Sequence, residues 1–133
     1  MKTVIVTAGV IIEGKKVLVA QRMEDALHGL LWEFPGGKAK EGEDPREALR
    51  RELKEELDID VEVENIFEVV FHSYPEYPIL LLAYGCRVKQ GVPKPVGCKA
   101  LRWFNLKELN ELALAPADEP IRKRLVSLEG SLF

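Results

Sequence analysis

The chain has 133 residues, of which 47% are apolar, enough to bury the core of one domain over residues 1–133 and too few for two ordinary domains. Nineteen Lys and Arg stand against 22 Asp and Glu, a net charge of -3, which excludes a protein that coats a nucleic acid polymer by bulk charge. The two cysteines, Cys86 and Cys98, exclude a disulfide scaffold, lack metal-motif spacing and fit a reducing cytoplasm.

Thr3–Ile12 and Lys16–Arg22 are rich in Val and Ile and read as two strands joined by a hairpin turn at Glu13-Gly14-Lys15. The apolar run Val4–Ile12 is far too short to span a membrane. It stops at charged residues with no small-residue cleavage pattern after it, so neither a signal peptide nor a membrane partner is expected. Met23–Leu31 reads as a loop, and Trp32-Glu33-Phe34 as a short alternating piece that runs into a turn at Pro35-Gly36-Gly37.

The next segment carries a strong helix start. Asp44 can cap, Pro45 suits the first helical position, and Glu47 completes a capping-box pattern. The helix is predicted from Asp44 to Leu57, with Leu49, Leu53 and Leu57 as the stripe that packs on a sheet. Val61–Tyr74 and Ile79–Val88 predict an antiparallel pair, Lys89–Lys99 a surface loop, and Ala100–Phe104 a further strand. Lys107–Leu112 and Glu119–Leu128 read as helices, which gives an α+β layered domain.

Half of the acids lie between Glu41 and Glu64. On the helix, Glu52, Glu55 and Glu56 fall at i, i+3 and i+4, so their carboxylates are expected to converge on one face. A hard divalent cation such as Mg²⁺, or Mn²⁺ as a substitute, would turn that repulsion into coordination. Taken alone, the pattern fits equally a solvated face paired with Lys54 and the arginines. The glycines of Pro35-Gly36-Gly37 add bare backbone that can approach an ion or a phosphate.

Gly37, Glu43 and Arg51-Glu52-Leu53-Lys54-Glu55-Glu56-Leu57-Asp58-Ile59 together resemble the Nudix box, G-x5-E-x7-R-E-U-x-E-E-x-G-U with U a bulky aliphatic. Every fixed position matches except the last glycine, which is Asp58 here. Leu31–Lys38 and Leu114–Pro120 look like segments of the MutT-like branch, so the likeness covers nearly the whole chain. The resemblance implies an α/β/α sandwich with a mixed β-sheet between helices. It also implies Mg²⁺-dependent hydrolysis of a nucleoside triphosphate to the monophosphate and pyrophosphate, of the cytidine or oxidised-guanosine type. Hydrolysis of another nucleoside diphosphate-linked compound and a non-catalytic nucleotide-binding module are the alternatives, and the state expected is a monomer or homodimer.

Carried over by position, Glu52, Glu55, Glu56 and the Gly36 carbonyl would hold metal, with Glu52 also orienting or deprotonating the water. Glu43 and Arg51 would pair and brace the loop against the helix. Arg22 matches a phosphate-contacting position, and Lys38 belongs to the same substrate-binding set. Phe34, Tyr74 and Asp118 match positions that line a base site, the two rings by stacking and Asp118 by accepting hydrogen bonds from base N–H groups. Asp118 is equally well placed to cap a helix starting at Glu119-Pro120, and the two roles are compatible. Asp58 replaces a glycine that ends the helix in a left-handed turn, which Asp tolerates better than most residues. Gly97 stands where many relatives carry a loop Glu, which moves the expected proton acceptor toward Glu52. His28 reads as a solvated loop residue, and Arg122, Lys123 and Arg124 as a solvated helix face.

Overall fold

The computed structural model describes residues 1–129. Seven strands form one sheet: β1 (Val4–Glu13), β2 (Lys16–Gln21), β3 (Trp32–Glu33), β4 (Gly36–Lys38), β5 (Asp60–Ser73), β6 (Pro78–Gln90) and β7 (Ala100–Phe104). The backbone order is β3-β2-β1-β6-β5, with β4 added to β1 and β7 to β2. β1 and β6 run parallel, whereas the other pairs are antiparallel, so the sheet is mixed as expected.

Helices α1 (Pro45–Leu57), α2 (Leu106–Leu109) and α3 (Glu119–Ser127) cover the sheet. Alternation along the strands separates two cores. Val17 and Val19 join Phe104, Leu109, Ile121 and Leu125 under α2 and α3, while Leu18 and Ala20 join Leu49, Leu53 and Leu57 under α1. With both faces covered, the centre of β2 is buried on every residue, which is why it lacks an alternating polar pattern.

α1 begins where the sequence indicates, with Asp44 accepting from the Arg46 amide at 2.8 Å. The capping box does not form, because Glu47 pairs with Arg50 instead. Its end is also as expected: Asp58 sits in the left-handed region at φ 57°, ψ 42°, and its amide bonds back to the Lys54 carbonyl. The segment after β6 then closes over this end. Lys94 donates to the Leu57 carbonyl at 2.9 Å, and Val96 and Gly97 both donate to the Glu56 carbonyl at 3.0 Å. The predicted surface loop is therefore also the cap for orphan carbonyls of α1.

Two local expectations are corrected. Pro35-Gly36-Gly37 is not a free turn, because Gly36 and Gly37 lie in β4 opposite Ala8 and Thr7. α2 is a single turn rather than a helix to Leu112. An Asn105–Glu108 capping box starts it, and Arg122 takes the Leu109 and Leu112 carbonyls at 2.9 and 2.7 Å, which ends it.

The left-handed cap gives a test. Asp58→Gly should unfold at higher denaturant than the parent and Asp58→Val at lower, the pair separated by about 1–2 kcal/mol. Equilibrium urea melts of the three proteins check this.

Candidate active site

Where β1, β4, α1 and the loop after β2 meet, the chain encloses a cavity of about 490 Å³. Its wall includes Arg22, Phe34, Gly36, Gly37, Lys38, Glu52, Glu56, Tyr74 and Asp118, so most of the sequence-selected residues share one space. The wall also carries Thr7, His28, Glu33 and Tyr77, which sequence reasoning did not select. Glu33 stood in a matched segment, but nothing in a single sequence separates it from a solvent-facing strand residue.

β4 can lie this close to its neighbours only as glycine. A Cβ on Gly36 would collide with the Thr7 carbonyl oxygen, and one on Gly37 with the Glu52 carboxylate. The Thr7 hydroxyl donates to the Gly37 carbonyl at 3.0 Å and pins the strand.

Glu43 and Arg51 pair as expected. Arg51 Nε donates to Glu43 at 2.9 Å and Nη2 at 3.0 Å, a two-point contact, while Nη2 also reaches the Lys38 carbonyl at 3.1 Å. The guanidinium and the Lys40 amide together hold the Glu43 carboxyl down at about 2. Arg51 Nη1 donates to Glu52 at 2.9 Å and to Glu55 at 3.3 Å.

Glu52 and Glu55 thus share one guanidinium nitrogen. Glu52 and Glu56 line the cavity, whereas Glu55 lies outside its wall, 58% exposed and drawn to Arg51. Among the described residues no three His, Cys, Asp or Glu side chains form a ready-made metal cage. The donor set still fits a hard divalent cation. Mg²⁺ keeps several waters, uses one or two carboxylates and shares itself with substrate phosphates. Glu52 and Glu56 would supply the two carboxylates, and the Glu56 carboxyl is pushed up to about 8 by burial first and by Glu52 and Glu33 next. A cation there would offset that crowded negative charge.

Arg22 is largely committed to its own loop. Its Nε donates to the Leu27 carbonyl at 2.7 Å and its Nη1 to Glu33 at 2.9 Å. Burial nonetheless raises the Glu33 carboxyl, and Arg22 opposes that shift without cancelling it. His28 departs from a solvated loop residue. It has φ 58°, its ring packs 4.7 Å from that of Tyr74, and its Nε2 is buried without a hydrogen-bond partner.

Asp118 does not cap α3; no side-chain hydrogen bond is made there. It is 6% exposed, and its Oδ2 instead accepts from the Phe34 amide at 2.7 Å. Burial raises its carboxyl well above the ordinary range, Glu33 adds to this, and the Phe34 amide opposes it. Phe34 is 2% exposed and belongs to the packed core, so its ring is no open platform. Gly97 lies against α1, where a Cβ would stand 3.2 Å from Glu56 Cγ. No carboxylate enters from that position.

A profile of the NUDIX domain matches residues 7–124. The chain belongs to the Nudix family. It is 32% identical to the 8-oxo-dGTP diphosphatase of Escherichia coli K12 over 129 residues, covering 96% of this chain and 100% of that one. It is 34% identical to the CTP pyrophosphohydrolase of the same organism over 131 residues, covering 98% and 97%. The structure is similar to that of a MutT NUDIX hydrolase from Burkholderia pseudomallei, with TM-score 0.84, 26% identity and coverage of 93% and 98%. Fold and family thus agree for this MutT-like Nudix hydrolase.

The Glu56 environment fixes the sign of a pH effect. The folded carboxyl holds its proton to about 8 and the unfolded one to about 4.5. The contribution of Glu56 to the stability of the metal-free protein is therefore fully present below the lower value and lost as pH rises through the upper one. Urea midpoints between pH 5 and 8.5 in metal-free buffer should fall, and Glu56→Gln should make that fall shallower. What remains belongs to Asp118 and Glu33, whose shifts have the same sign.

Proposed function

We propose that this Nudix hydrolase cleaves a nucleoside triphosphate to the monophosphate and pyrophosphate. It acts in the cytoplasm as one catalytic unit, on free nucleotides rather than nucleic acid polymers. The observation that carries the reading is a single cavity holding both kinds of group the substrate needs. The half-buried carboxyl groups of Glu52 and Glu56 suit a metal–polyphosphate, and Asp118 beside Phe34 suits a base. The relatives named for CTP and for 8-oxo-dGTP support the same substrate class. No helix among the described residues is long and apolar enough to cross a membrane, in keeping with a freely diffusing substrate.

Phosphoanhydride hydrolysis needs charge neutralised on the phosphate oxygens and a water held in line. Mg²⁺, with Mn²⁺ as a substitute, would supply that neutralisation and a more acidic water when held by Glu52 and Glu56, with Glu55 and the Gly36 carbonyl as further ligands. Glu52 faces the cavity under the grip of Arg51 Nη1, which fixes its carboxylate for orienting or deprotonating the water. With no side chain on Gly97, Glu52 takes that role without help from the loop. Glu43 holds Arg51, and Arg51 holds both Glu52 and the β4 carbonyl of Lys38. Arg22, just past the end of β2, and Lys38 in β4 would bring positive charge to the phosphates. At the base, Asp118 reads an edge bearing N–H groups, as in cytosine or oxidised guanine.

Pyrophosphate release from CTP and 8-oxo-dGTP tests the proposal. Glu52→Gln and Glu56→Gln should each lower kcat by at least about 100-fold while the protein still folds. Chelation should stop turnover, and Mg²⁺ should restore it. Parental turnover in either variant, or inorganic phosphate as the sole product, overturns the assignment.

A further inference from the structure

The turn that presents Asp118 is held from two sides. On the β3 side, Ala115 donates to the Trp32 carbonyl at 2.8 Å, and Asp118 Oδ2 accepts from the Phe34 amide at 2.7 Å. On the other side there is one hydrogen bond. The Tyr74 hydroxyl, just past the end of β5, accepts from the Ala117 amide at 3.0 Å. Ala117 is 2% exposed, so this amide has no ready access to water. The Tyr74 ring meanwhile packs against two imidazoles, His28 at 4.7 Å and His72 at 4.4 Å.

These contacts use Tyr74 differently from a stacking platform. Its ring is engaged by the two histidines, and its oxygen serves the residue directly before Asp118. The Phe34 amide holds one Asp118 oxygen, and the phenol holds the amide of the residue before Asp118 from the β5 side.

We propose that Tyr74 is a positioning residue for base choice, acting through the Ala117 amide to aim the Asp118 carboxyl at the Watson–Crick edge of the substrate base. The inference rests on the base-reading role given to Asp118 above. Losing the phenol oxygen leaves a buried amide without a partner and a turn anchored only by β3 and the residues after it. Asp118 then samples more directions, and a base that presents an exocyclic amino group to it loses its advantage over one that presents a carbonyl there.

The test compares kcat/KM for CTP with that for UTP, and for 8-oxo-dGTP with that for dTTP, in the parent, Tyr74→Phe, Asp118→Asn and Tyr84→Phe. Tyr84 lies in the α1-side core, away from the cavity. Tyr74→Phe is expected to reduce the larger of the two discrimination ratios at least tenfold, chiefly through KM of the preferred nucleotide. Asp118→Asn should change the same ratio, and Tyr84→Phe should leave it in place. If Asp118→Asn alters the ratio and Tyr74→Phe does not, the positioning role is wrong and the base reading stands. If Asp118→Asn does not alter it, the base reading itself fails. If Tyr74→Phe lowers turnover of all nucleotides equally, Tyr74 is merely structural. Amide exchange gives an independent readout on the parent protein: the Ala117 N–H should be protected, and at least tenfold less so in Tyr74→Phe. An unprotected Ala117 amide in the parent overturns the inference without any variant.

Discussion

The guanidinium of Arg51 is where helix α1, strand β4 and the loop between them are joined. It spends its donors on Glu43, Glu52, Glu55 and the Lys38 carbonyl, and Glu43 in turn closes the loop by accepting from the Lys40 amide. A planar fork with five donors can make these contacts at once; a lysine could not. Because the group is mostly shielded, its charge is screened less than that of a surface ion pair. The position of Glu52 in the cavity follows from this arrangement rather than from the intrinsic preference of its rotamers.

The second constraint is distance. β4 fits between β1 and α1 because two consecutive residues lack side chains, so the Glu52 carboxylate occupies the volume that a Cβ on Gly37 would need. The helix reaches the strand at that point and presses acidic groups against backbone, away from bulk water. The perturbed Glu56 carboxyl is a product of the same closeness. Stability and chemistry are in tension here, since the burial that would suit these acids to a cation makes them costly without one.

How far the residues alone disclose this depends on whether the signal is local. The start of α1 was legible because Asp44 and Pro45 act on their immediate neighbours, and its end because one residue, Asp58, takes the whole left-handed turn. β7 matches its apolar run from Ala100 to Phe104. Gly36 and Gly37 misled because glycine in a short run reads as a turn, and only Thr7, distant in sequence, reveals a strand. For Glu55, helical spacing fixes where the side chain starts and not which partner it takes, and here Arg51 holds it. Asp118 was undecided between cap and cavity; the Phe34 amide, from the other end of the chain, decides it. Glu33 and His28 are invisible to local rules for the same reason.

The parallel pairing of β1 with β6 has a consequence for how the protein comes into being. Val4 lies beside Ile79 and Ile11 beside Cys86, so the central ladder cannot close until most of the chain exists, and Asp118 arrives later still. During synthesis the first hairpin can form early, but it waits with one edge open and its apolar face bare. Such a topology folds slowly relative to one built from neighbouring segments.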